Sequence, residues 1–320
     1  MPMDLQTYAR LGLDQPTPAE VNGRSNADIR ASLDHPGDRV YHPCPEAFPD
    51  EEVPAGTLTR YRDWDQTRIY ADTLRDLFVY LPARLDPRDP LDLLVCNDGA
   101  GYSSLNGAVR ATRVLDSLHA RGEIRQTVGV FVNPGRPPDA QKPGYSSDYN
   151  AAMRQRSLEY DALTPDYGDF LETEVLPFVA REHRIRITQD PTRRTICGIS
   201  SGGICAFSVG WFHTRSYQRV LSHCGSFTNI LGGHNYPYLV RTTPRKTLRV
   251  CLQSGVNDAR TLFGDWALAN QTMAEALNYA GYDHRFEFGT GGHSLRHGGA
   301  LFADSLRWLW RTDEEQEAQK

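Results

Sequence analysis

The chain lacks any run of lysines and arginines, although it carries 35 of them among 320 residues. Its net charge of -5 is spread along the sequence. A surface that tracks phosphates is therefore not expected, and nucleic acid is not an expected partner. No apolar run is long enough to span a bilayer, so no membrane partner is expected. The opening stretch MPMDLQTYARLGLDQP has no cationic start ahead of an apolar core. No signal peptide is read there, and the cytoplasm is the expected compartment. Cysteine is scarce: Cys44, Cys96, Cys197, Cys205, Cys224 and Cys251 are the six. None shows a CxxC or Cys/His spacing, so no metal is expected. Four of them lie in apolar, strand-like runs (LLVCN, TICGI, LSHCG, LRVCLQ), which suits buried reduced thiols better than disulfides. There is no internal repeat and no low-complexity tract.

What is present is ordinary globular composition, 39% apolar and 23% charged. The length accommodates one large α/β domain as readily as two smaller ones. Residues 1–55 are rich in Pro, Asp and Glu with little periodicity. They read as an N-terminal extension wrapping the domain, with one short helix near NADIRASL. Residues 56–311 form the expected main domain and 312–320 a polar tail. GTLTRYR and RDLFVYLP alternate as antiparallel strands do. LDLLVCN is a continuous apolar run, as expected of a strand covered on both faces. Ala111, Val114, Leu115 and Leu118 then share a helical face. TVGVFVNP reads as another strand, and GRPPDAQKPGYSSDYN as a long polar loop. A helix over 168–182 contains Pro177, which predicts a kink or an early break.

The order repeats. RTICGI, RVLSHCG, LRVCLQ and HRFEF read as strands, three of them followed by helices. Strands alternating with helices imply a mostly parallel central sheet with helices on both faces. Ligands in such sheets bind at the carboxyl ends of the strands. The loops after Cys96, Ile199, Gln253 and Phe288 are therefore expected to converge.

Gly198-Ile199-Ser200-Ser201-Gly202 matches G-x-S-x-G between an apolar strand and a small-residue helix. In a nucleophile elbow the serine occupies a strained strand-to-helix turn, and glycines let the neighbouring backbones pass close by. A Gly/Ser turn without chemistry is the plain alternative. Ser201 competes with Ser200, but the motif centred on it lacks the leading glycine. A serine hydroxyl needs a histidine base, and the histidine an orienting carboxylate, in the chain order Ser, acid, His. LRVCLQSGVND reaches Asp258 and HRFEFGTGGHS reaches His293. Asp265, at a helix start, is a rival acid or a cap, and His297 is a rival base. The oxyanion of ester hydrolysis needs two N–H donors. Ser201 is one candidate, and Gly99 or Ala100, in NDGAGYSS, the other.

Taken together, NDGAGY, RVLDSLHARGEI, VGVFVNPG, RSLEYDAL, ICGISSGGICAF, SHCGSFTNILGGHNYP, GDWALANQTMAEAL and GGHSLRHGGALFADSLRWLW resemble the "Putative esterase" family of α/β-hydrolases. The resemblance covers about residues 55 to 311 and is strongest to the enterochelin-esterase-like branch; feruloyl and acetyl-xylan esterases and S-formylglutathione hydrolase are relatives. It implies the α/β-hydrolase fold, a Ser200–Asp258–His293 triad and no cofactor. GDW stands where GNW is expected of the family. Arg156 and Glu159 in RSLEYD read as a structural pair or a substrate-binding pair on one helix. Tyr102, Trp64, Phe227, His234 and Tyr236 are candidates to line an acyl or aryl pocket, or simply to pack.

The leading expectation is a serine esterase acting on a small-molecule ester, of siderophore or aryl/feruloyl type. An acyltransferase using the same triad and a non-catalytic binding protein on the same fold are the alternatives, and a homodimer remains open.

Overall fold

In the computed structural model the described residues are 20–21, 24–25, 33–86, 89–140 and 151–312. The expected helix at NADIRASL, the loop 141–150 and the tail 313–320 lie wholly or almost wholly outside them. Eight strands build the main sheet: β1 (Thr57–Trp64), β2 (Arg75–Leu81), β3 (Asp92–Asn97), β4 (Thr127–Val132), β5 (Arg194–Ile199), β6 (Arg219–His223), β7 (Arg249–Asn257) and β8 (Asp283–Gly292). Their spatial order is β1-β2-β4-β3-β5-β6-β7-β8. β2 runs antiparallel to both β1 and β4, and every other neighbouring pair is parallel.

The continuous apolar runs take the middle of this sheet. β3, β4 and β5 are buried at every position. The two-residue period of a strand sends their side chains to two cores. Leu93, Val95, Val128, Val130 and Ile196 enter one core; Leu94, Cys96, Phe131 and Cys197 enter the other. Helices cover both faces: α1 (Gly99–Ser103), α2 (Ala111–Ala120), α3 (Ala151–Tyr160), α4 (Asp166–Phe170), α5 (Leu176–His183), α6 (Ser201–Phe212), α7 (Tyr236–Thr242), α8 (Trp266–Tyr279), α9 (Leu295–Ala300) and α10 (Phe302–Trp310). Val114, Leu115 and Leu118 of α2 pack with Phe302, Leu306 and Leu309 of α10 in one core; α6 and α8 supply Phe207, Trp211, Met273 and Leu277 to the other. This is the mostly parallel sheet of an α/β-hydrolase fold. β1, by contrast, is an exposed edge strand bearing Arg60 and Arg62. Charge on an edge discourages pairing with another chain.

The helix expected over 168–182 is interrupted ahead of Pro177, which falls at the start of a new α-helix. Leu171–Val175 form a π-turn between α4 and α5, in which the Leu176 N–H reaches back to the Leu171 carbonyl. A single widened turn takes up the ring that an α-helical ladder cannot accommodate. Residues 36–47 pack onto the domain. The buried Asp38 carboxylate accepts from the Gly292 N–H at 3.0 Å, and the Tyr41 hydroxyl accepts from the Thr290 N–H at 2.9 Å. Both brace the end of β8 beside His293. All six cysteines are buried free thiols. Among the described residues no helix is long and apolar enough to cross a membrane.

Candidate active site

β5 ends at Ile199 and α6 begins at Ser201, so the turn between them is the single residue Ser200. Its φ of 60° and ψ of -124° are a conformation that side-chain-bearing residues rarely adopt. The surroundings hold it there. Its N–H donates to the His223 carbonyl at 2.9 Å, and its carbonyl accepts from the N–H groups of Gly203, Ile204 and Ser226 at 2.9, 3.1 and 3.0 Å. The motif glycines have a steric reason. A Cβ on Gly198 would collide with the Gly202 carbonyl, and one on Gly202 would lie 2.8 Å from Asp98 Oδ2.

Three loops from three strand ends meet at this serine. Ser200 Oγ lies 2.8 Å from His293 Nε2, and His293 Nδ1 lies 2.6 Å from Asp258 Oδ1. A carboxylate only accepts, so Nδ1–H donates to Asp258, and Nε2 of the neutral ring accepts from the Ser200 hydroxyl. Asp258 is itself pinned: the Ala259 N–H donates to Oδ1 at 2.7 Å and the Ser254 hydroxyl to Oδ2 at 2.6 Å. Asp258 and His293 are only 3% and 4% exposed. Trp266 stands edge-on to the His293 ring, centroids 5.7 Å apart. Such an arrangement can take a proton from the serine and stabilise the imidazolium that results.

The rivals are elsewhere. Asp265 Oδ1 caps α8 through the Leu268 N–H at 3.1 Å. His297 stacks on Tyr41 and bonds Gln253.

Gly99 and Ser201 are the first residues of α1 and α6, and the N–H groups that open a helix have no intrahelical acceptor. The Ala100 N–H, in contrast, already donates to Asn133 Oδ1 at 2.9 Å, which removes it as a free oxyanion donor. Asp98 sits in the left-handed region, φ 54° and ψ 45°, and turns the chain into α1. Asn97 Nδ2 ties this loop to α6 through the Gly202 carbonyl at 3.0 Å. Arg156 makes the second tie. Its Nε and Nη2 reach Asp98 Oδ1 and Oδ2 at 2.9 and 2.7 Å, and Nη2 also reaches the Ile199 carbonyl at 3.4 Å.

Arg156 and Glu159 are therefore not a pair. Glu159 faces away and forms a buried ion pair with Arg75, at 2.7 and 3.0 Å. The expected aromatic pocket is also corrected. Tyr102 is fully buried, its hydroxyl 2.8 Å from His223 Nδ1. Trp64 packs on Phe170 and Phe178 at the far side of the sheet. Phe227 and Tyr236 pack with Phe207 in the core, and the Tyr236 hydroxyl meets Ser208 Oγ at 2.6 Å. Tyr102 and Tyr236 have no exposed surface, and Phe227 and Trp64 are only 2% and 5% exposed, so these rings serve packing. His234 is exposed on a short 3-10 turn, Gly233–Asn235. Ser226, Ser254 and the indole of Trp266 join the site without having been read as site residues. Ser226 and Trp266 lie in segments that carry the family resemblance, SHCGSF and GDW, but neither segment says what its side chain meets.

Among the described residues, Cys224, Asp258 and His293 bring metal-ligand atoms within 4.8 Å of one another. The Asp258 and His293 atoms are engaged with each other, and burial, then the Asp258 charge, push the Cys224 thiol well up. That set is a poor metal site.

The chain is similar to the iron(III) enterobactin esterase of Dickeya dadantii (strain 3937), 25% identical over 272 residues, which are 81% of this chain and 56% of that protein. It thus spans little more than half the length of that curated relative. Among solved structures it is similar to the ferric enterobactin esterase of Salmonella typhimurium (TM-score 0.62, 20% identity), covering 81% of this chain and 59% of that one. It is also similar to a CE1 ferulic acid esterase from Anaeromyces mucronatus in complex with ferulic acid (TM-score 0.63, 16% identity), covering 84% and 96%. Residues 71–309 match the family described as "Putative esterase", a span that runs from β2 to α10 and contains Ser200, Asp258 and His293; the chain belongs to that family.

Proposed function

We propose that the protein is a serine carboxylic-ester hydrolase working through an acyl-enzyme. The observation that carries this reading is the hydrogen-bonded chain from Ser200 through His293 to Asp258, built on a strained serine at the start of a helix. Ser200 Oγ attacks the ester carbonyl as its proton passes to His293 Nε2. Asp258 holds the ring and stabilises the imidazolium. The Ser201 and Gly99 N–H groups receive the oxyanion. The alcohol leaves with the proton from His293. Water, deprotonated by the same ring, then attacks the acyl carbon; the acid departs and Ser200 regains its proton.

The substrate class is a small-molecule ester of siderophore or feruloyl type, a reading supported by the names of the relatives above. The test is hydrolysis of a catecholate trilactone, a feruloyl sugar ester and short-chain aryl esters by wild type and Ser200→Ala. The expected result is one natural ester cleaved far faster than the aryl esters, and by wild type alone. Undiminished hydrolysis by Ser200→Ala would remove Ser200 as nucleophile.

A further inference from the structure

Two polar atoms next to the serine play no part in the mechanism above. The Trp266 indole Nε1 lies 3.1 Å from Ser226 Oγ, and Ser226 Oγ lies 3.3 Å from Ser200 Oγ. Ser226 has no exposed surface and Trp266 is 1% exposed, so water does not compete for these groups. An indole N–H can only donate. The Ser226 oxygen therefore accepts from Trp266 and must turn its own proton elsewhere. The acceptor placed for that proton is Ser200 Oγ. A buried hydroxyl that left its proton unpaired would be destabilised.

We infer that Trp266, acting through the Ser226 hydroxyl, positions the Ser200 nucleophile; the inference rests on the esterase reading above. The hydrogen bonds then run one way: Trp266 to Ser226, Ser226 to Ser200, Ser200 to His293, His293 to Asp258. The donor on the far side of Ser200 Oγ holds it in the rotamer that points its proton at His293 and leaves a lone pair for the ester carbon. Ser226 neither gains nor loses a proton in either half-reaction.

Trp266 is anchored where it can do this. Its backbone N–H donates to the carbonyl of Ala259, the residue after Asp258, at 2.9 Å. Asn270, one turn later on α8, donates from Nδ2 to the Gly225 and Trp266 carbonyls, both at 2.9 Å. The strand end that carries Ser226 and the loop that carries Asp258 are thus fastened to the same helix start. The edge of the Trp266 ring meets His293. One side chain is in contact with the base and linked to the nucleophile, and its backbone is linked to the acid loop.

The test is steady-state hydrolysis of a short-chain aryl ester by wild type, Trp266→Phe, Ser226→Ala, the double variant and Ser200→Ala. Trp266→Phe keeps an aromatic ring against His293 and removes the N–H. Each single change is expected to lower kcat about tenfold, the scale of one hydrogen bond, with KM within about twofold. The double variant is expected to be no slower than Ser226→Ala, because both changes break one chain. Wild-type kcat in either single variant, or effects that multiply in the double, would overturn the inference. If Trp266→Phe fails to fold by circular dichroism, Ser226→Ala decides alone: wild-type kcat there overturns it. Activity surviving in Ser200→Ala would instead defeat the underlying esterase reading.

Discussion

Glu159→Gln should weaken the fold without touching the chemistry, although Glu159 lies three residues from Arg156 on the same helix. Neither the Arg75 nor the Glu159 side chain has any exposed surface. The carboxylate receives Nη1 and Nη2 of Arg75 at 2.7 and 3.0 Å, the Gly135 N–H at 3.2 Å and Gln155 Nε2 at 2.9 Å. Replacing it with a neutral amide strands a buried guanidinium. Breaking one side of a buried pair costs about 3–5 kcal/mol. Part of that is retained here. Arg75 keeps a bond to Thr73 Oγ1 at 3.0 Å and lies 4.4 Å above the Phe170 ring and 5.5 Å above Tyr70, contacts worth about 1–2 kcal/mol together. The expected loss is about 3 kcal/mol, a large share of the roughly 5–15 kcal/mol that holds a domain together. Urea unfolding followed by tryptophan fluorescence measures it. The paired change Arg75→Met with Glu159→Leu should recover most of the loss, because an apolar pair needs no desolvation of charge. Turnover per folded molecule should be unchanged. A loss below about 1 kcal/mol, or a double variant as unstable as the single one, would refute the reasoning.

Other outcomes follow from the same coordinates. Arg156→Lys keeps the charge but not the fork that grips both oxygens of Asp98 and the Ile199 carbonyl; kcat should fall about tenfold or more with KM little changed, and equal kcat would refute a positioning role. Burial raises the Asp161 carboxyl from 3.8 to about 6, with the Arg156 charge and the Ser157 hydroxyl opposing. The unfolded chain releases that proton first, so between those values stability falls as pH rises. The stability of Asp161→Asn relative to wild type should therefore rise by about 2 kcal/mol from pH 4 to pH 8, read by urea unfolding; a pH-independent difference would count against it. Gly198→Ala drives a methyl into the Gly202 carbonyl and should cost about 3 kcal/mol of stability, checked by thermal unfolding; an undiminished midpoint would show that the elbow can open.

Local pattern made much of this molecule legible. LDLLVCN, TVGVFVNP and RTICGI are unbroken apolar runs because strands in the middle of a parallel sheet are covered on both faces, and that is where β3, β4 and β5 lie. The order Ser200, Asp258, His293, each after its own strand, was readable for the same reason: topology carries strand ends to one edge. Pro177 was visible as a disturbance, but its accommodation by a π-turn was not. The relation of Arg156 to Glu159 was read as one of spacing on a helix. Positions three apart on a helix share a face only broadly, and each side chain instead found a partner distant in sequence, Asp98 and Arg75.

The aromatic residues mark the same boundary. Tyr102, Phe227 and Tyr236 look alike in sequence whether they line a pocket or fill a core, because a large apolar ring serves both. Only the packing of the folded chain turned them inward. Likewise Ser226 lies in SHCGSF, and nothing local ties it to an indole 40 residues later. Sequence by itself determined the strands, their helices and the residues at the strand ends, since these depend on periodicity and on turn geometry over a few residues. Tertiary structure alone decided which polar group meets which. Hydrogen bonds and ion pairs are short-range and directional, and their partners come from segments that only the closed sheet brings together.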